Sequence, residues 1–488
     1  MDAAVWPVPG SWLLAAAIAA YATACFVFIT LENRSPRSTF SWFFLFLLVP
    51  GIGLVIYVLF GRSWRAFARE HDALLQLVDG DQRRQLEEFA VRQEADLDVL
   101  RAQVQPAARK LLTQLWTGGR APLTLINRME VLQDARAFYP RLMEDIDAAR
   151  HSVHLCFYEW AADPYTESVK ARLLERVREG VRVRILYDPV GSLSMLSRRY
   201  VREMNAGGAV MRPYSPLVRL QTISYRNHRK IAVIDGNAAY IGGLNMTQKH
   251  LTGPQGFTGW RDTQARVEGE AARLLQGSFA MQWFATTGED LIEPEYFPPL
   301  AGTVGRLPIQ VVTSGPDREW HVMRQLYFTL ITSAERTVYI QSPFFILDES
   351  LAEALRSAAF SGVDVRVMIA PRGAEGQLAY RAGRTYANEM SHAGVRVYEY
   401  QGAYFHPKTV CIDSSICVVG SVNLDIRSFS INYESALVVY DEGVTRQLEA
   451  VFEADQAQCT VFSADRYAAQ SVFTRFGDSL TRLASPLL

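Results

Sequence analysis

The chain has 488 residues, 49% apolar and 21% charged, and its 50 basic and 51 acidic residues leave a formal net charge of −1. This is the composition of a folded protein with room for roughly three folding units, which excludes a disordered chain and a small disulfide scaffold. Near neutrality gives no global attraction for nucleic acid, and the five cysteines, Cys25, Cys156, Cys411, Cys417 and Cys459, lack the CxxC spacing of a zinc site and favour reducing surroundings.

In chain order, residues 12–31 form an uncharged run of 20 and residues 40–60 a second of 21. Each is long enough to cross ~30 Å of hydrocarbon as a helix. No basic segment precedes the first run and a second follows at once, so a transmembrane hairpin over 1–61 is expected rather than a cleaved signal. Pro50, Gly51 and Gly53 are expected to kink the second span, with Trp42, Tyr57 and Trp64 as interfacial anchors. A two-span hairpin puts the N-terminus and the rest of the chain on one side. Arg62, Arg65 and Arg69 after the second span outnumber Arg34 and Arg37 in the short loop, so the main body is expected on the cytoplasmic face of the membrane. Residues 62–120 turn abruptly charged, and Leu86, Phe89, Leu97 and Leu100 mark a helical connector. That connector either lies on headgroups or packs against the main body.

Beyond residue 120 the sequence repeats. Ile146 to Arg150, the apolar run 153–160, a helix near 172–178 and the strand 181–186 recur as 331–336, 338–345, 352–359 and 363–369, and each half continues to another strand at 208–211 and 394–397. Alternating strand and helix is the α/β layer pattern, and a period of about 180 residues is too long for a solenoid. Two homologous α/β lobes are expected, 121–299 and 300–488.

The chemistry falls at one place in each lobe. Lobe one has His228, Lys230, Asp235, Gly242, Gly243 and Asn245, and lobe two has His406, Lys408, Asp413, Gly420, Ser421 and Asn423 at identical spacing. Only five lysines occur among the 50 basic residues, and two of them stand in these motifs. Residues i and i+2 of a strand share a face, so each histidine is expected beside its lysine, with Asp235-Gly236 turning into a hairpin. Paired glycines allow close backbone approach and Asn245 offers an amide, so each set reads as half of a phosphate site. A lysine beside each histidine opposes a cation, so no metal or other cofactor is expected. His71, His151, His154, His250, His321 and His392 lack these partners and are read as structural or exposed.

The duplicated H-x-K-x4-D-x6-G-[GS]-x-N resembles the signature of the phospholipase D superfamily. Nearly end to end the chain resembles the bacterial cardiolipin synthases of that superfamily. The match is carried by Pro50-Gly51-Ile52-Gly53, Leu59-Phe60-Gly61, Phe157-Tyr158-Glu159-Trp160, Trp260-Arg261-Asp262-Thr263, Ser314-Gly315-Pro316, Asn423-Leu424-Asp425-Ile426-Arg427-Ser428 and the terminal Ser485-Pro486-Leu487-Leu488.

The resemblance implies two phospholipase D-like lobes sharing one active site. It implies condensation of two phosphatidylglycerols to cardiolipin and glycerol through a covalent phosphatidyl-histidine. His228 would attack, following the family order, and His406 would act as acid and base. Lys230, Lys408, Asn245 and Asn423 would hold the phosphoryl oxygens. Asp235 and Asp413 are read as orienting the strand pair. Glu434, 28 residues after His406, is placed by the resemblance to fix a histidine tautomer, with Asp262, 34 residues after His228, as the weaker counterpart and a surface salt bridge as its alternative. The partners implied are phosphatidylglycerol and cardiolipin, with no nucleic acid. A hydrolytic phospholipase D, a phosphatidylserine synthase and a nuclease are the alternatives.

Overall fold

The computed structural model describes residues 9–32, 34, 36–61, 93–94, 97–102, 104, 106–215, 223–300, 305–318, 320–374 and 376–485. The N-terminal segment and the lobes belong to separate compact units.

In the N-terminal unit, Pro9–Leu31 is a single helix of 23 residues, about 35 Å long. The second apolar run breaks where a kink is expected. It forms a helix over Pro36–Leu48, a second over Ile52–Ile56 and a π-helical turn over Tyr57–Gly61. Pro50 lacks an amide hydrogen and Gly51 sits at φ +79°, so the chain reverses between them. A Cβ on Gly53 would stand 2.8 Å from the Leu45 carbonyl oxygen, and one on Gly61 would stand 2.7 Å from Trp42 Cζ2. The returning segment thus runs back along the helix it left. Tyr57 is buried edge-on against Phe28, Trp42 and Phe46, with centroids 5.0 to 5.9 Å apart, rather than anchoring at an interface. Its hydroxyl donates to Glu32, which also pairs with Arg34 at 2.6 Å. Among the described residues one helix, Trp12–Leu31, has the length and composition to cross a membrane.

The first half of the expected connector, with Leu86 and Phe89, and Trp64 before it, lies outside the described residues. The helix Pro106–Thr117 buries Leu111, Leu112 and Leu115 against Val322 and Leu326 of the second lobe, so this part packs on the main body.

Lobe one contributes β1 (Leu123–Gln133), β2 (Ser152–Phe157), β3 (Arg182–Tyr187), β4 (Val210–Pro213), β5 (Ile231–Ile234), β6 (Ala238–Gly242), β7 (Trp260–Arg261) and β8 (Thr263–Gly269). Lobe two contributes β9 (Arg306–Ser314), β10 (Thr337–Gln341), β11 (Phe345–Ile346), β12 (Asp364–Ile369), β13 (Arg396–Tyr400), β14 (Tyr404–Phe405), β15 (Thr409–Ile412), β16 (Ile416–Gly420), β17 (Leu424–Asp425), β18 (Glu434–Val439) and β19 (Cys459–Val461). The strands β2, β3 and β4 pair in parallel, as do β10, β12 and β13. Parallel neighbours need crossovers. The first of these in each lobe is a helix stopped at its start by an acid, Asp163 in a capping box with Thr166 and Asp348 accepting from Leu351 N–H at 2.9 Å. The hairpins β5–β6 and β15–β16 lie antiparallel beside β2 and β10. Antiparallel pairing of β1 with β9, Leu123 opposite Gln310, joins both lobes into one 15-stranded sheet. The seam is tied by Thr124 Oγ1 donating to Ile309 O and Asn127 Nδ2 donating to Leu307 O, each at 2.8 Å. Helices cover both faces, and fully buried side chains such as Phe138, Trp160 and Phe279 each contribute about 1.5–3 kcal/mol.

Candidate active site

The two motifs occupy equivalent places. His228 and Lys230 stand in the extended segment entering β5, and His406 and Lys408 in the one entering β15, slightly ahead of the strands expected to carry them. In each, the lysine ammonium turns back to the carbonyl of its own histidine, Lys230 Nζ at 2.7 Å from His228 O and Lys408 likewise on His406 O. Asp235 and Asp413 hold backbone instead of facing a ligand. The Asp235 carboxylate accepts from the amides of Arg150, His151 and Ser152 at 2.8 Å, and Asp413 accepts from those of Glu335, Arg336 and Thr337 at 2.7 to 2.8 Å. Each pins the start of the first parallel strand of its lobe, β2 or β10, to the hairpin turn.

The segments before the histidines pair with the opposite lobe because their own sheets do not reach them. His228 N–H donates to Tyr433 O at 3.0 Å, and Tyr433 N–H returns to Arg226 O at 2.9 Å. Across the pseudo-symmetric counterpart, β7 pairs in parallel with β14, and His406 N–H donates to Arg261 O at 2.8 Å. Arg229 joins this strap, reaching Ser314 O at 3.0 Å and Glu434 O at 3.3 Å across the lobes.

This strapping exchanges the acids. Counting along the chain sets each acid after the histidine of its own lobe, yet each faces the histidine of the other. The Glu434 carboxylate brackets His228 Nδ1 at 2.9 and 3.0 Å, and Asp262 Oδ2 lies 2.7 Å from His406 Nδ1. Both carboxylates are fully buried, so Asp262 is not a surface salt bridge. Ser421 donates to Glu434. Asp262 instead receives Thr263 N–H at 2.8 Å and the Trp260 indole at 3.3 Å. Gly243 stands where lobe two has Ser421, and a Cβ there would overlap the Asp262 carboxylate.

Both imidazoles open into one cavity of about 380 Å³, shared with Asn245 and Asn423 and walled by Tyr158, Phe344, Trp260 and Tyr404. Asn245 Oδ1 accepts from Glu159 N–H at 3.1 Å, while Asn423 Oδ1 is buried without a hydrogen-bond partner among the described residues. Burial lowers the pKa of His228, an effect opposed by Glu434; burial together with the ammonium groups of Lys408 and Lys230 lowers that of His406 much further. Burial also brings Lys230 down to about 7, and the neighbouring Lys408 adds to that shift. Glu434 is held ionised against its burial by His228 and Lys230.

Five further charged groups, to which the paired motifs assign no role, line the cavity: Glu159, Arg226, Lys249, Asp425 and Arg427. The offset relating His228 to His406 also relates Lys249 to Arg427, so the repeat itself held that signal. Lys249 pairs with Glu159 at 2.6 Å. His154 and His250 are buried in structural roles, His250 accepting from Asn245 N–H at 3.2 Å and His154 meeting Gln276 at 2.9 Å. Among the described residues no three His, Cys, Asp or Glu side chains cluster as metal ligands.

Two repeated lobes, each giving a histidine and an asparagine to a common cavity and holding a buried lysine on the carbonyl of that histidine, define a phospholipase D-like phosphodiester-transfer fold. The family model described as cardiolipin synthase, PLD-like domain, matches residues 142–258 and 327–456, and that of the phospholipase D-nuclease N-terminal region matches 17–62. A cardiolipin synthase of Geobacillus kaustophilus is 36% identical over 94% of this chain and 91% of its own. One of Listeria welshimeri is 33% identical over 95% and 96%. The crystal structure of phosphatidylserine synthase from Haemophilus influenzae superposes with a TM-score of 0.58 at 14% identity, covering 78% of this chain and all of that one. The chain belongs to the cardiolipin synthase family.

Proposed function

We propose that the protein transfers a phosphatidyl group from one phosphatidylglycerol to a second, giving cardiolipin and glycerol through a phosphatidyl-histidine. What carries this reading is the pair of imidazoles in one cavity, each bound at Nδ1 by a buried carboxylate, which leaves both Nε2 atoms for chemistry. Nε2 of one histidine attacks phosphorus as the bond to the glycerol oxygen breaks, and the other histidine gives that oxygen a proton. It then takes the proton of the incoming glycerol hydroxyl, whose oxygen displaces the first histidine. Lys230, Lys408, Asn245 and Asn423 stabilise the phosphoryl oxygens. His228 is the nucleophile and His406 the acid and base in this reading. The unequal surroundings favour a second reading with the roles exchanged, because His406 is kept neutral by burial and nearby ammonium groups while the Glu434 charge supports a proton on His228.

Detergent-solubilised protein given phosphatidylglycerol alone is expected to yield cardiolipin and glycerol in equal amounts by mass spectrometry, unaffected by EDTA and reversed by excess glycerol. Phosphatidic acid as the main product would mark a hydrolase instead. His228→Ala and His406→Ala should each lower turnover by about 10³-fold or more, and acid-quenched peptide mapping should locate the phosphorylated histidine.

We propose further that the lobes lie on the cytoplasmic side. The reversal at Pro50-Gly51 returns the chain toward the loop that carries Arg34 and Arg37, so a single crossing collects those arginines and Arg62, Arg65 and Arg69 on one side, opposite a tail without basic residues. Impermeant thiol labelling in intact cells should reach a cysteine at Asp2 but not one at Ser35 or Ser479; labelling at Ser35 and Ser479 but not at Asp2 would reverse the orientation.

A further inference from the structure

The helix Val472–Arg482 is amphipathic in reverse. Its inward face is polar. Asp478 is fully buried and pairs with Arg381 at 2.7 Å and Arg384 at 3.4 Å, while Arg482 reaches Glu389 at 2.6 Å. Thr481 is buried beside them, and the Ser485 hydroxyl lies 3.2 Å from that of Tyr386. All of these partners belong to the helix Gln377–His392. The outward face carries Val472, Phe473, Phe476, Leu480 and Leu483, between 56% and 87% exposed. Positions 473, 476, 480 and 483 fall on one stripe at a period of 3.6 residues. A helix surrounded by water gains by turning such a stripe inward. Here ion pairs fasten the helix to the body and leave the stripe outside, an arrangement suited to an apolar exterior.

Charge and position select lipid as that exterior. The helix has one acid, Asp478, which is buried and neutralised by two arginines, whereas Arg475 is exposed at the edge of the stripe. A surface apolar at its centre and basic at its rim complements anionic phospholipid. The same chain carries a helix long enough to cross a bilayer. The supporting helix Gln377–His392 also packs next to the site: a Cβ on Gly383 would stand 3.6 Å from the Phe345 carbonyl, one residue beyond Phe344 in the cavity wall.

We propose that Val472–Arg482 seats the second lobe on the membrane, with its stripe of Phe473, Phe476, Leu480 and Leu483 inserted at the headgroup–acyl boundary of a bilayer containing anionic phospholipid. This rests on the chain acting at a bilayer and not on which transfer it catalyses.

The test uses the full chain, with its native cysteines replaced, in nanodiscs of phosphatidylglycerol and phosphatidylcholine. Nitroxide labels are placed singly at Phe473, Phe476, Leu480 and Ser479. Relative to the label at Ser479, the other three should be about tenfold less accessible to a water-soluble nickel chelate and more accessible to oxygen. Equal chelate access at all four positions would overturn the proposal, as would protection that appears only in discs holding two copies, which would mark an interface between copies. The double variant Phe473→Glu/Phe476→Glu should keep its thermal transition and its turnover of a short-chain monomeric phosphatidylglycerol, and lose about tenfold on bilayer substrate. Equal loss on both substrates, or none on either, would overturn it. The depth readout stands whether or not cardiolipin is the product, so its failure is distinguishable from failure of the transfer reading.

Discussion

The half-sites around His228 and His406 share a motif but hold their histidines with differently sized tools. Lobe two supplies the longer acid, Glu434, and braces it with the Ser421 hydroxyl. Lobe one supplies the shorter Asp262, braced by the Thr263 amide and the Trp260 indole, and keeps Gly243 bare so that the carboxylate fits. Glycine with aspartate and serine with glutamate are therefore matched pairs, each built in one lobe for the histidine of the other. The near-symmetry of the motifs hides a consistent difference in charge: Glu434 is held ionised, whereas burial raises the pKa of Asp262 despite the neighbouring Lys408 ammonium.

The largest expected effect comes from removing a charge from this exchange. Glu434→Gln and Asp262→Asn should each lower kcat by about 10²- to 10⁴-fold with the fold intact, measured as initial rates of cardiolipin formation, since each histidine loses the partner of its proton. A Glu434→Gln enzyme with ordinary kcat would show that His228 does not depend on the other lobe. Mismatching a pair should do less. Gly243→Ala, by displacing Asp262, should cost about 10²-fold in kcat, and Ser421→Ala, which removes one hydrogen bond to a carboxylate, about tenfold. Grafting the lobe-two pair into lobe one, Gly243→Ser with Asp262→Glu, should restore part of the loss of Gly243→Ala; failure to recover would deny the matching.

Lys230 sharpens the comparison by pH. Burial has lowered its pKa to about 7, so the free protein loses this charge behind His228 as pH rises through that value, and a bound phosphodiester draws the proton back. Affinity for a non-reacting phosphatidylglycerol analogue should fall above pH 7 by at most about tenfold per unit, with proton uptake visible calorimetrically in buffers of different ionisation enthalpy. Lys230→Met should remove both the slope and the uptake. The smallest effect concerns the hairpin turns. Ser414 sits at φ +55° where lobe one has Gly236 at φ +65°. Ser414→Gly should therefore stabilise by about 1 kcal/mol in a denaturant titration. Gly236→Ser should destabilise by more, because a Cβ there also overlaps the Tyr296 carbonyl.

Much of the site was written in the sequence as spacing. The turns at Asp235 and Asp413 sit where a repeated hairpin would put them, whereas His228, Lys230, His406 and Lys408 stand just ahead of the strands expected to carry them. The acid exchange was not legible, because distance along the chain describes one lobe, whereas the partners of His228 and His406 lie 206 and 144 residues away. Arg229 carried no meaning in the motif for the same reason, since its guanidinium binds carbonyls of the other lobe. In the N-terminal unit, apolar run length reported composition without direction. The missing amide of Pro50 and the positive φ of Gly51 turned an expected span into a reversal.

The strap between lobes also sets an order in time. During synthesis the segment bearing His228 leaves the ribosome with no carboxylate on its ring, because Glu434 follows 206 residues later and arrives on β18, near the end of the chain. His406 emerges after Asp262, but its own strap needs β7 and β14 already paired. Neither histidine of a nascent chain is therefore held by its acid until the last lobe has folded onto the first.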